Sequence, residues 1–268
     1  MMRFVTFLML VSFVFVFAVY QVNAQKFSIE GEDFDAKKGE SWQIMKVPAK
    51  VMSNPDSTPR APELIASDGK GIAEFTIVAA ASRGAFLGHP NNPSTAVSGD
   101  WVKYTFDIPK AGDWYIWARV IAPTIGDNSF FVGIDVPDAK AVAEDNNDMN
   151  IWDFHESAEI PDDGLGTALN TRFTTKWVWF RLCSRTGNPF PGTEIVQYGP
   201  KPTPYKFATT GGHTIHLVWR ERSYCDVIFL TMDASDNPNK NQSVVPDIIA
   251  VETRNKLTTT WGQLKQRF

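Results

Sequence analysis

Two segments more than ninety residues apart constrain the fold most, because each contains a pair of short strands with alternating polarity. They are residues 100–120 (DWVKYTFDIPKAGDWYIWARV) and 211–232 (GGHTIHLVWRERSYCDVIFLTM). In the first segment, apolar side chains at every second position from Val102 to Ile108 predict a strand with one buried face, and Pro109 to Gly112 predict a turn. Repeated strand pairs of this kind are typical of an antiparallel β-sandwich.

The rest of the chain extends the β pattern and contains little that indicates helix. Trp114, Ile116 and Ala118 alternate with Tyr115 and Trp117, which predicts a strand covered on both sides along part of its length. Further strands are predicted at residues 27–32, 71–79, 130–134, 177–183, 213–220 and 225–231. With 268 residues, 43% of them hydrophobic, the chain is long enough for one large all-β domain.

The first 24 residues are typical of a secretory signal peptide. Arg3 precedes an apolar run from Phe4 to Tyr20, and residues 22–24 form a small-x-small cleavage site before Gln25. The alternative is an uncleaved membrane anchor, which the length of the run permits. We therefore expect a secreted, extracellular or periplasmic protein that is free of the membrane after cleavage, with a sandwich domain at 25–233 and a C-terminal extension at 234–268.

The charge and the two cysteines exclude some functions and leave one question open. The formal net charge is −4, and removal of Arg3 makes it −5; without a basic stripe, the sequence argues against nucleic-acid binding. Cys183 and Cys225 lie in apolar strand contexts. A disulfide between them is permitted in an oxidising compartment, and the alternative is two small buried hydrophobic side chains.

Known catalytic motifs are missing from the sequence. His155 and Glu156 are followed by Glu159 where a zinc protease needs its second histidine. The Gly164-Leu165-Gly166 segment lacks the third glycine of a dinucleotide-binding turn. There is neither a G-x-S-x-G elbow nor a P-loop. We therefore expect a protein that is not an enzyme.

Six short segments together resemble a family of sugar-binding sandwiches. They are residues 29–34 (IEGEDF), 81–87 (ASRGAFL), 100–104 (DWVKY), 111–115 (AGDWY), 211–214 (GGHT) and 226–230 (DVIFL). In this order, the set resembles the carbohydrate-binding modules of families 6 and 35 and their galactose-binding-like relatives. The segment at 139–175 and the insertion after Cys183 depart from the family pattern. The resemblance implies a jelly-roll antiparallel β-sandwich, often with a structural calcium ion.

Three acidic residues are the predicted calcium ligands. Glu30 and Glu32 are two positions apart on a predicted strand, so their carboxylates would point to the same side and could clamp a hard cation. The alternative is that both are ordinary acids at a strand edge. Asp226 matches the third acidic ligand that the resemblance implies.

Sugar binding requires exposed aromatic rings and fixed polar groups. Trp114 and Trp219 alternate with apolar strand residues and are expected in the core. Trp177 and Trp179 share a strand face opposite Val178 and Phe180, so that face is expected to be open. For Trp152, the alternative is a plug over one end of the sandwich. The predicted ligand-binding residues are Phe86, Asn91, Asn92, Trp152, Trp177 and Trp179.

The sequence thus predicts a secreted, noncatalytic protein that binds polysaccharide or glycan through aromatic side chains, with calcium as a structural ion. Two alternatives remain open at this point. One is an extracellular structural or adhesion protein whose partner is another protein or cell-surface material. The other is a small enzyme that acts on polysaccharides.

Overall fold

The computed structural model describes residues 25–54, 59, 61–89, 99–142, 149–154, 174–182 and 204–246. The strands, numbered in chain order, are β1 (Lys26–Glu30), β2 (Ala36–Lys38), β3 (Gln43–Lys46), β4 (Ala49–Met52), β5 (Glu74–Ile77), β6 (Ala85–Gly88), β7 (Trp101–Ile108), β8 (Gly112–Ala122), β9 (Ser129–Ile134), β10 (Asn150–Asp153), β11 (Thr174–Arg181), β12 (Tyr205–Phe207), β13 (Gly211–Val218) and β14 (Tyr224–Thr231). The described helical structure consists of four three-residue 3₁₀ turns, at 62–64, 82–84, 138–140 and 242–244.

The strands form two main sheets and one hairpin. The seven-stranded sheet has the order β11-β8-β14-β6-β3, with β1 also paired to β14 and β12 to β8. The five-stranded sheet has the order β10-β9-β13-β7-β2, and β4 pairs with β5. Every one of these pairings is antiparallel. The predicted all-β, jelly-roll type of sandwich is therefore confirmed.

The main core lies between the two sheets, because both sheets contribute side chains to one buried cluster. Ile116, Ala118 and Val120 of β8 face the core from the seven-stranded sheet, and Tyr104 and Phe106 of β7 face it from the other. This is the alternation that the sequence predicts for both strands. Each large apolar side chain buried in this way stabilises the fold by about 1.5–3 kcal/mol.

The outer face of the seven-stranded sheet has two separate covers, which confirms the prediction that β8 is covered on both sides. At one end, the β4–β5 hairpin packs on Ile121 of β8 and Tyr224 of β14. At the other end, Val244 and Val245 pack on a cluster that includes Trp117 of β8. We call residues 233–246, which follow β14, the C-terminal strap.

Hydrogen bonds fix the C-terminal strap to the edges of the sheet. The Asn239 side chain accepts a hydrogen bond from the backbone N–H of Trp179 (2.9 Å) and donates one to its carbonyl (2.7 Å). Asp236 accepts a hydrogen bond from the Thr231 hydroxyl and lies 3.4 Å from the Lys26 ammonium group. The described part of the C-terminal extension is therefore packed on the sandwich.

Some predictions concern residues whose structure is only partly described. The predicted signal peptide at 1–24 and the end of the chain beyond 246 lie outside the described residues. Within the described ranges, no helix has the length and apolar character needed to cross a membrane. Cys225 is a buried free thiol, and Cys183 lies outside the described residues.

Candidate functional site

An open cavity of about 680 Å³ lies on the outer face of the seven-stranded sheet, between its two covers. Three successive outward-facing residues of β8 cross this region: Trp117 lies under the C-terminal strap, Ile121 lies under the hairpin, and Arg119 lies between them. The C-terminal strap forms another wall of the cavity. The residues around the cavity are Glu30, Ser82, Arg83, Arg119, Trp179, Val227, Gln242, Ser243, Val245 and Pro246.

A β-bulge places the first carboxylate of the site. Cys225 is paired with Val120 and Val227 with Arg119, so Asp226 is an extra residue in β14. Such a bulge can re-aim a side chain out of the normal alternation. The Asp226 carboxylate is fully buried, accepts a hydrogen bond from the Ser82 backbone N–H (2.9 Å), and forms an ion pair with the Arg119 guanidinium.

The second carboxylate, Glu30, ends strand β1 beside this bulge. Gly31 then approaches β14 so closely that a Cβ atom would collide with the Cys225 carbonyl, and its N–H donates to the Asp226 carbonyl. Glu30 Oε1 accepts a hydrogen bond from the Ser82 hydroxyl (2.8 Å) and lies 3.1 Å from Arg83 Nε. Gly31 therefore allows the Glu30 and Asp226 carboxylates to lie close together.

The acidic groups of the site are hard to ionise. Burial is the main cause that raises the pKa of Glu30. Burial also raises the pKa of Asp226 to about 7, although the Arg119 guanidinium acts in the opposite direction. The pKa of Glu32 is likewise raised to about 7, by burial and by the neighbouring Glu30, Asp33 and Asp226 carboxylates. The acids of this region therefore outnumber its two cations, Arg83 and Arg119.

The predicted calcium ligands fit a cation only in part. Glu30 Oε2 and Glu32 Oε2 are buried without a hydrogen-bond partner, as ligand atoms awaiting a cation would be. Both oxygens of Asp226, however, are taken by Ser82 and Arg119. Strand β1 ends at Glu30, so Glu32 lies in the following turn and not on the strand as predicted. Among the described residues, no group of three His, Cys, Asp or Glu side chains converges to hold a metal ion.

Two of the predicted ligand-binding aromatics belong to the interior. Phe86 is fully buried, with Trp177 and Tyr224 packed edge-on against its ring. Trp152 is fully buried in the main core, and its indole N–H donates to the Arg181 carbonyl (3.3 Å). Neither ring is available to stack on a sugar, because β6 and β10 point these side chains into packed clusters.

The open aromatic face expected at Trp177 and Trp179 is covered in the structure. Trp179 is only 4% exposed, because Val244 and Val245 of the C-terminal strap pack against its cluster. Trp177 is half-buried under the Arg119 guanidinium, 5.8 Å from its ring centre, and donates a hydrogen bond to the Ala79 carbonyl. The remaining two candidates, Asn91 and Asn92, lie outside the described residues.

Arg83 and Arg119 are the site residues that the sequence analysis did not identify. A signal for Arg119 exists, since an arginine within the apolar strand DWYIWARVIA requires a nearby counter-charge. Asp226 in the equally apolar strand YCDVIFLT is that partner. For Arg83, the sequence offers only its position before Gly84 in a short loop.

Comparisons with known proteins give distant structural likenesses. No protein-family model matches the sequence, and no curated protein matches it. The chain is similar to the C-terminal CBM6 of a marine laminarinase from Zobellia galactanivorans, at 12% identity and a TM-score of 0.33, over 77% of this chain and 99% of that one. It is also similar to a carbohydrate-binding module of Cellvibrio mixtus lichenase 5A, crystallised with cellotriose, at 11% identity and a TM-score of 0.32, over 77% and 96%. A family 35 carbohydrate-binding module from Clostridium thermocellum gives 7% identity and a TM-score of 0.32, over 77% and 98%. The strand pairing by itself shows that the fold is an antiparallel sandwich.

Proposed function

We propose that this chain is a secreted, noncatalytic protein that binds carbohydrate. The observation that carries the proposal is the open cavity on the outer face of the sandwich, which combines charged and hydroxyl groups with apolar walls. Small-molecule sites in proteins are concave, and their volumes are about 300–1,000 Å³. The ordered set of sequence segments that resembles carbohydrate-binding modules supports the same function.

The burial of the acids supports a noncatalytic role. Glycoside hydrolysis generally requires two carboxyl groups that flank the scissile bond. Glu30, which borders the cavity, and Asp226 are fully buried side chains that are paired with arginines. A substrate in the cavity would reach the guanidinium groups before these two carboxylates. We therefore place binding, and not bond cleavage, at this site.

The direct test is binding of the purified chain to a panel of immobilised polysaccharides and glycans. We expect retention on at least one carbohydrate and no release of reducing sugar from any of them. Retention on none of the glycans would contradict carbohydrate binding and favour the alternative of an adhesion protein. Release of reducing sugar would favour the alternative of a polysaccharide-active enzyme.

Secretion is the second part of the proposal, and it rests on the sequence of residues 1–24. We expect the protein to leave the cytoplasm and its mature form to begin at Gln25. Amino-terminal sequencing of protein recovered from the medium or periplasm tests this expectation. A chain that stays membrane-bound with an intact amino terminus would contradict it.

We further propose that calcium stabilises the turn after β1, with Glu30, Glu32 and Asp226 as the residues that would hold it. The orphaned oxygens of Glu30 and Glu32 support this, and the ion would supply the positive charge that these acids lack. Asp226 would have to share its carboxylate with Arg119. We expect calcium to raise the melting temperature and a chelator to lower it, and equal melting temperatures under both conditions would overturn the proposal.

A further inference from the structure

The cavity presents the positive members of its ion pairs to solvent. The Arg83 side chain is 37% exposed and its partner Glu30 is fully buried. Arg119 is 18% exposed, and its partner Asp226 is also fully buried. A molecule that enters the cavity therefore meets two guanidinium groups, while the Glu30 and Asp226 carboxylates lie beneath them.

The backbone holds Arg83 in this position at a conformational cost. Arg83 has φ 50° and Gly84 has φ 73°, so a non-glycine residue occupies the left-handed region at the cavity wall. Residues held in this region cluster at ligand sites, where the surrounding structure maintains them. Here the loop is fixed by the hydrogen bonds of Ser82 to Glu30 and Asp226.

Arg83 retains hydrogen-bonding capacity for a ligand. Its Nε contacts Glu30 at 3.1 Å and its Nη1 contacts Asp33 at 2.8 Å. Its second terminal amino group, Nη2, has no partner among the described residues. Arginine presents five N–H donors in a planar fork, which matches the oxygens of carboxylate and sulfate groups. Asp33 is the exposed acid that competes with such a ligand for Arg83.

The rest of the cavity lining combines polar and apolar groups. The C-terminal strap contributes the polar side chains of Gln242 and Ser243 and the apolar surface of Val245 and Pro246. The cavity therefore joins two guanidinium groups to a mixed polar and apolar wall. A monosaccharide that carries an acidic substituent has the same two parts, since its ring offers hydroxyls and apolar C–H groups.

We propose that the cavity binds an acidic sugar residue, with its carboxylate or sulfate group against Arg83 and Arg119 and its ring against the C-terminal strap. This inference rests on the proposed carbohydrate-binding function and names its ligand class and site. The site lies on the outer face of the seven-stranded sheet. The strap is one wall of the site, so residues outside the sandwich sheets contribute to specificity.

The test is calorimetric titration with two matched ligand pairs, each with and without EDTA so that a bound cation cannot supply the anion contact. The first pair is oligogalacturonate and its methyl ester, and the second is a sulfated galacto-oligosaccharide and its unsulfated form. We expect the acidic member of at least one pair to bind about tenfold or more tightly than its neutral partner. The pair that shows the difference identifies the anion as carboxylate or sulfate.

Two variants connect that preference to the cavity. Arg83→Gln should abolish the preference for the acidic ligand, and Arg220→Gln should keep it, because Arg220 pairs with Glu221 and Ser129 at the end of the five-stranded sheet. If Arg83→Gln fails to fold, Arg83→Lys keeps the charge for Glu30 without the planar fork and should reduce the preference.

Equal binding of acidic and neutral ligands by the wild type, or an unchanged preference in the Arg83 variants, would overturn this inference. Neutral glycans would then still bind elsewhere on the protein, and the proposed function would stand. Failure of every glycan in the polysaccharide panel would instead remove the proposed function. The two failures are therefore distinguishable.

Discussion

The outer faces of the two sheets both contain ion pairs with one buried member, but the buried member is an acid on one face and a histidine on the other. On the seven-stranded sheet, the acids Glu30 and Asp226 are buried, and their partners Arg83 and Arg119 are the more exposed members of each pair. On the five-stranded sheet, His216 is buried and its partner Asp138 is 50% exposed, beside Lys103 at 2.8 Å. Trp101, packed edge-on at 5.1 Å, helps to bury the imidazole.

The buried histidine and the buried carboxylates differ in the free energy that is lost when the charged partner is removed. Burial lowers the pKa of His216, so this side chain is neutral at pH 7 and needs no counter-charge. A buried carboxylate that loses its cation must either remain an unpaired charge or take up a proton, and both cost free energy. We therefore expect Arg83 and Arg119 to be required for stability as well as for the proposed binding, and the exposed charges of the other face to be dispensable.

The largest effect is expected from Arg119→Met, which leaves Asp226 buried without a cation. We predict a loss of about 3 kcal/mol in the free energy of unfolding at pH 8, measured by urea denaturation. The double variant Arg119→Met/Asp226→Asn should recover most of that loss, because it removes the buried charge. An equal loss in both variants would show that packing, and not charge, explains the effect.

The next largest effect is expected in the C-terminal strap, which covers the seven-stranded sheet. Asn239→Ala removes two hydrogen bonds to the Trp179 backbone and should cost about 1 kcal/mol. Amide hydrogen exchange should become faster in the strap and at Trp179. Asn241→Ala is the control, because within the described part of the chain the Asn241 side chain bonds to Ser243 alone. Unchanged exchange in Asn239→Ala would contradict the anchoring role.

A smaller, pH-dependent effect is expected from Glu32. Its folded-state pKa of about 7 exceeds the ordinary value of 4.5, so its contribution to stability is fully present below about pH 4.5 and is lost as the pH rises through 7. In EDTA, Glu32→Gln should therefore lose less stability than the wild type between pH 5 and pH 8. Melting curves at each pH measure this difference. Parallel pH profiles for both proteins would show that Glu32 does not titrate in this range.

The smallest effect is expected on the five-stranded sheet. Asp138→Asn removes an exposed partner of a neutral imidazole, and we predict a change below about 1 kcal/mol. The same urea denaturation that measures Arg119→Met provides the comparison. A loss as large as that of Arg119→Met would contradict the proposed difference between the two faces.

Local patterning was sufficient to predict the sandwich but not the site. The alternation in β7 and β8 defines which side chains enter the main core, because strand periodicity is a local property. The bulge at Asp226 depends instead on how β14 pairs with β8, which are about a hundred residues apart in sequence. The polarity pattern of one strand does not predict the register in which it pairs with a distant strand.

The same distinction explains why the aromatic candidates were placed incorrectly. The side opposite Val178 and Phe180 was predicted to be open, and the cover on Trp179 comes from Val244 and Val245, far along the chain. Phe86 is one of the predicted ligand-binding residues, yet it lies on β6 and packs under the β4–β5 hairpin. In both cases a distant segment supplies the neighbours, so burial could not be predicted from the strand alone.

The most direct test of sugar binding in this cavity is to observe the arginine side chains by NMR while a binding acidic oligosaccharide is added. We predict that the Nε–Hε resonances of Arg83 and Arg119 shift in a saturable manner with one common dissociation constant, and that those of Arg220 and Arg222 stay in place. Saturable binding that leaves the Arg83 and Arg119 resonances unshifted would contradict the proposal that this cavity is the sugar site.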